Sequence, residues 1–135
     1  MPCVMPLSSG AEILQQMLNN IAMPKKRPMP EADVIRALSA LAQETRLRIF
    51  RMLVVAGQKG VLPGHMAEEL GTSPTAISFH LKELVHAGLA TSERDGRHLI
   101  YRAQFAQMNT LLGFLTAHCC EGQPCEVDAV ACDRC

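Results

Sequence analysis

The five residues Leu70-Gly71-Thr72-Ser73-Pro74 constrain this chain more than any other stretch. Apolar residues recur at helical spacing on both sides of them, Met66 and Leu70 before and Ile77, Leu81, Leu84 and Val85 after. Gly71 is a natural C-terminal stop, Thr72 or Ser73 is a cap, and Pro74 suits a first helical turn, where its missing N–H costs nothing. Two helices, one from about Pro63 and one ending near Gly88, therefore meet across a minimal turn.

The flanking segments fit around this pair. Val34, Leu38 and Leu41 mark a helix from Glu31, and Leu47, Phe50, Leu53 and Val54 mark another from near Thr45 to Gly57. After Gly88 come two β-prone runs, Leu89 to Arg94 and Arg97 to Arg102, linked by Asp95-Gly96, a dipeptide suited to a tight hairpin. Phe105, Met108, Leu111, Leu112 and Leu115 predict a last helix reaching Cys119 or Cys120, broken by Gly122 and Pro124. A helix pair with a minimal turn, then a hairpin, describes a mainly α winged helix-turn-helix whose second helix enters the DNA major groove.

Length and composition agree with one small domain: 135 residues, 48% hydrophobic, without an apolar run long enough to span a membrane and without the basic-then-apolar start of a secretory signal. The expectation is a cytoplasmic protein with no membrane partner. Its zero net charge conceals a split. Residues 1–118 carry 12 basic against 9 acidic side chains, and residues 119–135 carry Arg134 against Glu121, Glu126, Asp128 and Asp133. A body at +3 is only weakly basic, so DNA binding rests on the motif and a dimer. Residues 1–30 hold five prolines and read as a partly disordered extension, with Ile13, Leu14, Met17, Leu18 and Ile21 at the spacing of a short amphipathic helix. Residues 31–120 form the DNA-binding and dimerisation domain, and residues 121–135 a cysteine-rich tail.

On the second helix of the pair, Thr75, Phe79, Lys82 and His86 face outward when Ile77, Leu81 and Leu84 face in, and Ser78 lies on the flank. An outward phenylalanine needs a partner. A thymine methyl in the major groove is one, and a neighbouring helix or the hairpin is another. Thr75 and Ser78 offer hydroxyls to base edges or phosphates, whereas His80 turns inward and reads as a partnered structural histidine. Arg94, Arg97 and His98 flank the hairpin tip and suit backbone or minor-groove contacts. With Ser73 at the helix start, these nine residues are the candidate DNA-binding set.

The stretches LSALAQETRLRIFRML (38–53), TSPTAISFHLKELVHAGLA (72–90) and RDGRHLIYR (94–102) resemble the ArsR/SmtB repressors, prokaryotic winged-helix homodimers that leave their operators when a thiophilic or transition metal binds. The resemblance covers roughly residues 31–125. It implies that the helices from Glu31 and from Phe105 build the dimer, and that the protein is a repressor on an inverted-repeat operator. The paired cysteines that arsenic repressors of this family carry in the helix before the recognition helix are missing from GHMAEEL (64–70). The tail CCEGQPC (119–125) instead resembles a subgroup with arsenite ligands at the end of the last helix, which makes Cys119, Cys120 and Cys125 the sensing thiolates.

Five of the six cysteines lie in the last 17 residues, a local device for metal binding or redox sensing rather than a disulfide scaffold. All-sulfur ligation selects soft acceptors. A three-sulfur pyramid suits trivalent arsenic or antimony, as the resemblance implies, with arsenite as inducer and no catalytic cofactor. Zinc or cadmium, with His118 as a fourth ligand, is an alternative. So are a redox switch pairing Cys125 with Cys119 or Cys120, buried structural thiols at the dimer seam, and a small oxidoreductase using Cys132 and Cys135, although no nucleophile-base arrangement supports an enzyme.

Overall fold

The computed structural model describes residues 28–122. The amphipathic run Ile13–Ile21, Cys3, Cys125, Cys132 and Cys135 lie outside the described residues. Five α-helices and one hairpin follow in the order α1 (Glu31–Leu41), α2 (Glu44–Ala56), α3 (Pro63–Leu70), α4 (Pro74–His86), β1 (Ala90–Asp95), β2 (His98–Ala103) and α5 (Phe105–Leu115). Short 3₁₀ turns occupy Gly57–Lys59 and Cys119–Gly122.

Local chemistry explains the helix ends. Glu31 and Asp33 place negative charge in the first turn of α1, where the helix dipole favours it. The Gln43 side chain accepts the Arg46 amide at 2.7 Å and so opens α2. Arg46 then reaches back to donate from Nε to the Ala40 carbonyl at 2.6 Å, capping α1 from the next helix. Gly71 takes the left-handed conformation that ends α3 (φ 58°), and Ser73 Oγ accepts the Ala76 amide at 3.2 Å to start α4 behind Pro74. Stop, cap and proline act as the sequence implied, with Ser73 rather than Thr72 as the cap.

Ile49, Leu53, Met66, Ile77, Leu81, Leu84 and Leu89 are fully buried, bringing α2, α3, α4 and the chain before β1 into one core. Among the described residues no polar or charged residue is buried as a whole. The packing corrects several expected inward positions. In α1 the buried stripe is Val34, Ala37 and Ala40, and Leu38 is exposed. In α2 it is Ile49, Phe50 and Leu53 with Leu47 exposed, and in α4 Val85 is exposed as well. Alanines in α1 permit close helix approach, and this turns its larger Ile35 and Leu38 to the outside.

The strands pair antiparallel from Ala90↔Ala103 to Asp95↔His98, so the two-residue link is Gly96-Arg97 rather than Asp95-Gly96. Gly96 has φ 60° and Arg97 does not share that sign, the pattern of a turn with glycine at its first central position. Only one left-handed residue is then required, and it is the glycine. A further bridge, Val61↔Tyr101, ties the hairpin base to the chain between α2 and α3.

Candidate nucleic-acid interface

The turn between α3 and α4 fixes how α4 stands on the core, and the buried Ile77-Leu81-Leu84 stripe fixes its rotation. Thr75, Ser78, Phe79, Lys82 and His86 are consequently all exposed, as is Ser73 at the helix start. Phe79 retains 59% of its surface, a large value for an aromatic ring on a helix held to a core. Ser73 spends a lone pair on its cap, and Ser78 donates its hydroxyl hydrogen to the Pro74 carbonyl at 3.0 Å. Ser78 is thereby set up as an acceptor, the partner that the amino group of a cytosine or adenine requires in the major groove.

His80 departs from expectation. Its Nδ1 is buried without a hydrogen-bond partner among the described residues, and its ring meets Phe79 edge-on, with centroids 6.0 Å apart.

The hairpin supplies the second half of the surface. Arg94, Arg97 and His98 are exposed around the Gly96-Arg97 tip, and from Thr91 outward every β1 residue is exposed. Sequence reasoning missed Arg102, at the base of the same hairpin. Its Nε donates to the Gln58 carbonyl at 2.7 Å and its Nη1 pairs with Glu93 at 2.5 Å. The positions of Arg102 and Gln58, 44 residues apart, carry no local signal that they meet.

A different picture holds at the thiols. α5 stops at Leu115, short of the expected Cys119 or Cys120. The Ala117 amide bonds to the Phe114 carbonyl and the Cys119 amide to the Thr116 carbonyl, and His118 (φ 58°) and Glu121 (φ 54°) both take left-handed conformations. Three residues of turn, Thr116 to His118, therefore separate helix from thiol, and Cys119, which is exposed, starts a 3₁₀ turn rather than ending a helix. The Cys120 side chain and Cys125 lie outside the described residues, and among the described residues no three His, Cys, Asp or Glu groups form a metal cluster.

Apolar surface is left uncovered on two helices. Ile35 and Leu38 on α1, and Leu112, Phe114 and Leu115 on α5, are 39–57% exposed. Among the described residues no helix is long and apolar enough to cross a membrane.

Comparison with known proteins agrees with this geometry. Residues 41–93 match a family model described as a helix-turn-helix domain. A Halobacterium salinarum protein carrying the name of an arsenical resistance operon repressor, ArsR, is 43% identical over 75 residues, 56% of this chain and 57% of that protein. The chain thus spans little more than half the length of that relative. An ArsR-like transcriptional regulator from Rhodococcus sp. RHA1 superposes with a TM-score of 0.57 at 33% identity, over 63% of this chain and 77% of that one. A homodimeric winged helix-turn-helix domain from Mycobacterium bovis, a possible ArsR-family regulator, shares the fold at TM-score 0.53 and 24% identity, over 71% of this chain and 88% of its own. Such relatives are named as transcriptional regulators and none as an enzyme, which sets aside the oxidoreductase alternative. The buried helix pair, the exposed face of α4 and the hairpin beside it, together with these relatives, mean that the chain belongs to the ArsR/SmtB family of winged helix-turn-helix transcriptional regulators.

Proposed function

We propose that the protein is a homodimeric repressor that reads an inverted-repeat operator through α4 and releases it when trivalent arsenic, or antimony, is bound by Cys119, Cys120 and Cys125. The carrying observation is the outward face of α4, where Thr75, Ser78, Phe79 and Lys82 stand exposed together beside the arginines of the hairpin. Each is the residue type such a groove rewards: an acceptor hydroxyl, an apolar ring for a thymine methyl and a cation for phosphate. Dimerisation through the uncovered faces of α1 and α5 places two copies of α4 about 34 Å apart, one helical turn of DNA. Burial of those apolar side chains is the driving force.

The ligand half of the proposal rests on donor chemistry. Three thiolates in seven residues make an all-sulfur set for a soft ion, and Cys119 is exposed on a turn rather than sealed in the helix. The three-residue turn after Leu115 joins Cys119 to α5, so ligation there bears on the helix that carries the dimer face. Release then requires the ion to favour the off-DNA arrangement, and by linkage DNA weakens ion binding by the same factor, of order 1–3 kcal/mol.

The test is operator affinity at fixed salt with and without arsenite, antimonite, zinc, cadmium or peroxide, for the natural chain and for Cys119→Ser/Cys120→Ser/Cys125→Ser. Arsenite weakens binding of the natural chain and leaves the triple variant bound. Undiminished release from the triple variant refutes the thiol assignment, and release by zinc or peroxide without arsenite transfers the sensor to that ligand.

A further inference from the structure

We propose that Arg102 is a positioning residue for DNA binding, setting the pitch of the hairpin so that Arg94 and Arg97 reach the DNA backbone while α4 lies in the groove. This rests on the reading of the hairpin as a DNA-contacting wing.

Three features tie the base of the hairpin to the chain between α2 and α3. Val61 and Tyr101 exchange both backbone hydrogen bonds, at 2.9 and 3.0 Å. Gly60, at φ 70°, lets the chain pass so close to β2 that an added Cβ would lie 2.6 Å from the Tyr101 carbonyl oxygen and 2.5 Å from Ile100 Cγ2. Arg102 is the third, and the one attachment of the three made by a side chain. Its Nε bonds the Gln58 carbonyl in the 3₁₀ turn after α2, and its Nη1 bonds Glu93 on β1. One planar guanidinium thus joins both strands of the hairpin to the end of α2. Its side chain is 26% exposed and its Nε and Nη1 are engaged with protein, whereas Arg94 and Arg97 stand exposed.

The hairpin beyond this base projects freely, with every residue from Thr91 to Leu99 exposed. Arg102 lies five positions along the chain from the tip at Arg97, roughly 17 Å at about 3.3 Å per residue. A tilt of about 10° at the base moves the tip by roughly 3 Å, as long as the hydrogen bond from an arginine to a phosphate oxygen. Arg102 does not have to touch DNA to decide whether the tip arginines do. Lysine at this position keeps the charge but has a single donor group, and it cannot bridge Gln58 and Glu93 in one plane.

The experiment is a double-mutant cycle on operator affinity in the full-length chain, measured by fluorescence anisotropy at fixed salt, with Arg102→Lys and the pair Arg94→Ala/Arg97→Ala. Arg102→Lys should weaken binding about 5- to 10-fold. The tip pair should weaken the natural chain by a similar factor and change the Arg102→Lys chain less than about 2-fold, because its contacts are already lost. Glu93→Ala, on an exposed residue, removes one prong while leaving the fold intact, and it should show the same coupling at about 2- to 3-fold. Independent, multiplicative effects overturn the inference, as does full affinity in Arg102→Lys. If the tip pair and Phe79→Ala leave affinity unchanged, the DNA reading of this surface falls and the inference with it. A loss from the tip pair that ignores Arg102 overturns the inference alone.

Discussion

Replacing Phe79 by alanine separates a ring that reads DNA from one that packs the protein. A phenylalanine presents on the order of 200 Å² of surface, and at 59% exposure about 120 Å² of it is still in water. Full burial of that area against DNA is worth at most about 3 kcal/mol at 25 cal/mol per Å². Alanine retains its own Cβ and a groove covers only part of a ring, so about 1.5 kcal/mol is expected, close to a 10-fold loss of operator affinity. Folding stability should change by less than about 0.5 kcal/mol, since an exposed helix position loses little and alanine is the better helix former. Among the described residues, the edge contact with His80 is the one intramolecular ring interaction forfeited. The assay pairs anisotropy titrations with thermal melts and repeats the titrations on operators in which deoxyuridine replaces thymidine. If Phe79 meets a thymine methyl, removing the ring and removing the methyl are redundant, and the second loss is small once the first is made. A variant that melts early while binding normally, or one whose losses multiply with those of the uracil operator, refutes the assignment.

Two other expectations concern assembly and the hairpin base. Charging the uncovered faces with Ile35→Glu and Leu112→Glu should weaken self-association by 100-fold or more, because a carboxylate has to be desolvated at the seam, and operator affinity should fall with it; sedimentation checks this, and an intact dimer excludes these faces. Gly60→Ala combines a φ of 70° with a collision against the Tyr101 backbone, so a loss of about 2–3 kcal/mol in chemical denaturation is expected, and a loss below about 1 kcal/mol means that the hairpin base yields more readily than its packing implies.

The helix pair was legible because its signals are local. Gly71, Ser73 and Pro74 act within one turn of themselves, and Ile77, Leu81 and Leu84 repeat at the helical period whatever packs on them. The exposed set on α4 followed from the same arithmetic. The hairpin was legible in kind but shifted in register, since Asp-Gly suits more than one turn and the choice fell to the strand pairing that seats Ala90 and Ala103 in the core. The end of the last helix was misjudged for a related reason. Leu111 is its one buried residue, so beyond Leu115 little packing holds the chain helical, and apolar composition alone extends the pattern too far.

From the order of its residues alone, the chain determines where α3 stops and α4 starts, which face of α4 turns outward, and that cysteine thiols gather at one end. Each of these depends on neighbours within a few positions, where backbone geometry and side-chain chemistry act directly. Tertiary structure decided what depends on distant partners. It exposed Ile35, Leu38, Leu47 and Val85 although their spacing invites burial, and it brought Arg102 to the Gln58 carbonyl. The physical reason is that burial and long-range hydrogen bonds belong to the packed whole, where alanines bring α1 close to its neighbours and a glycine without a side chain admits β2 at Gly60.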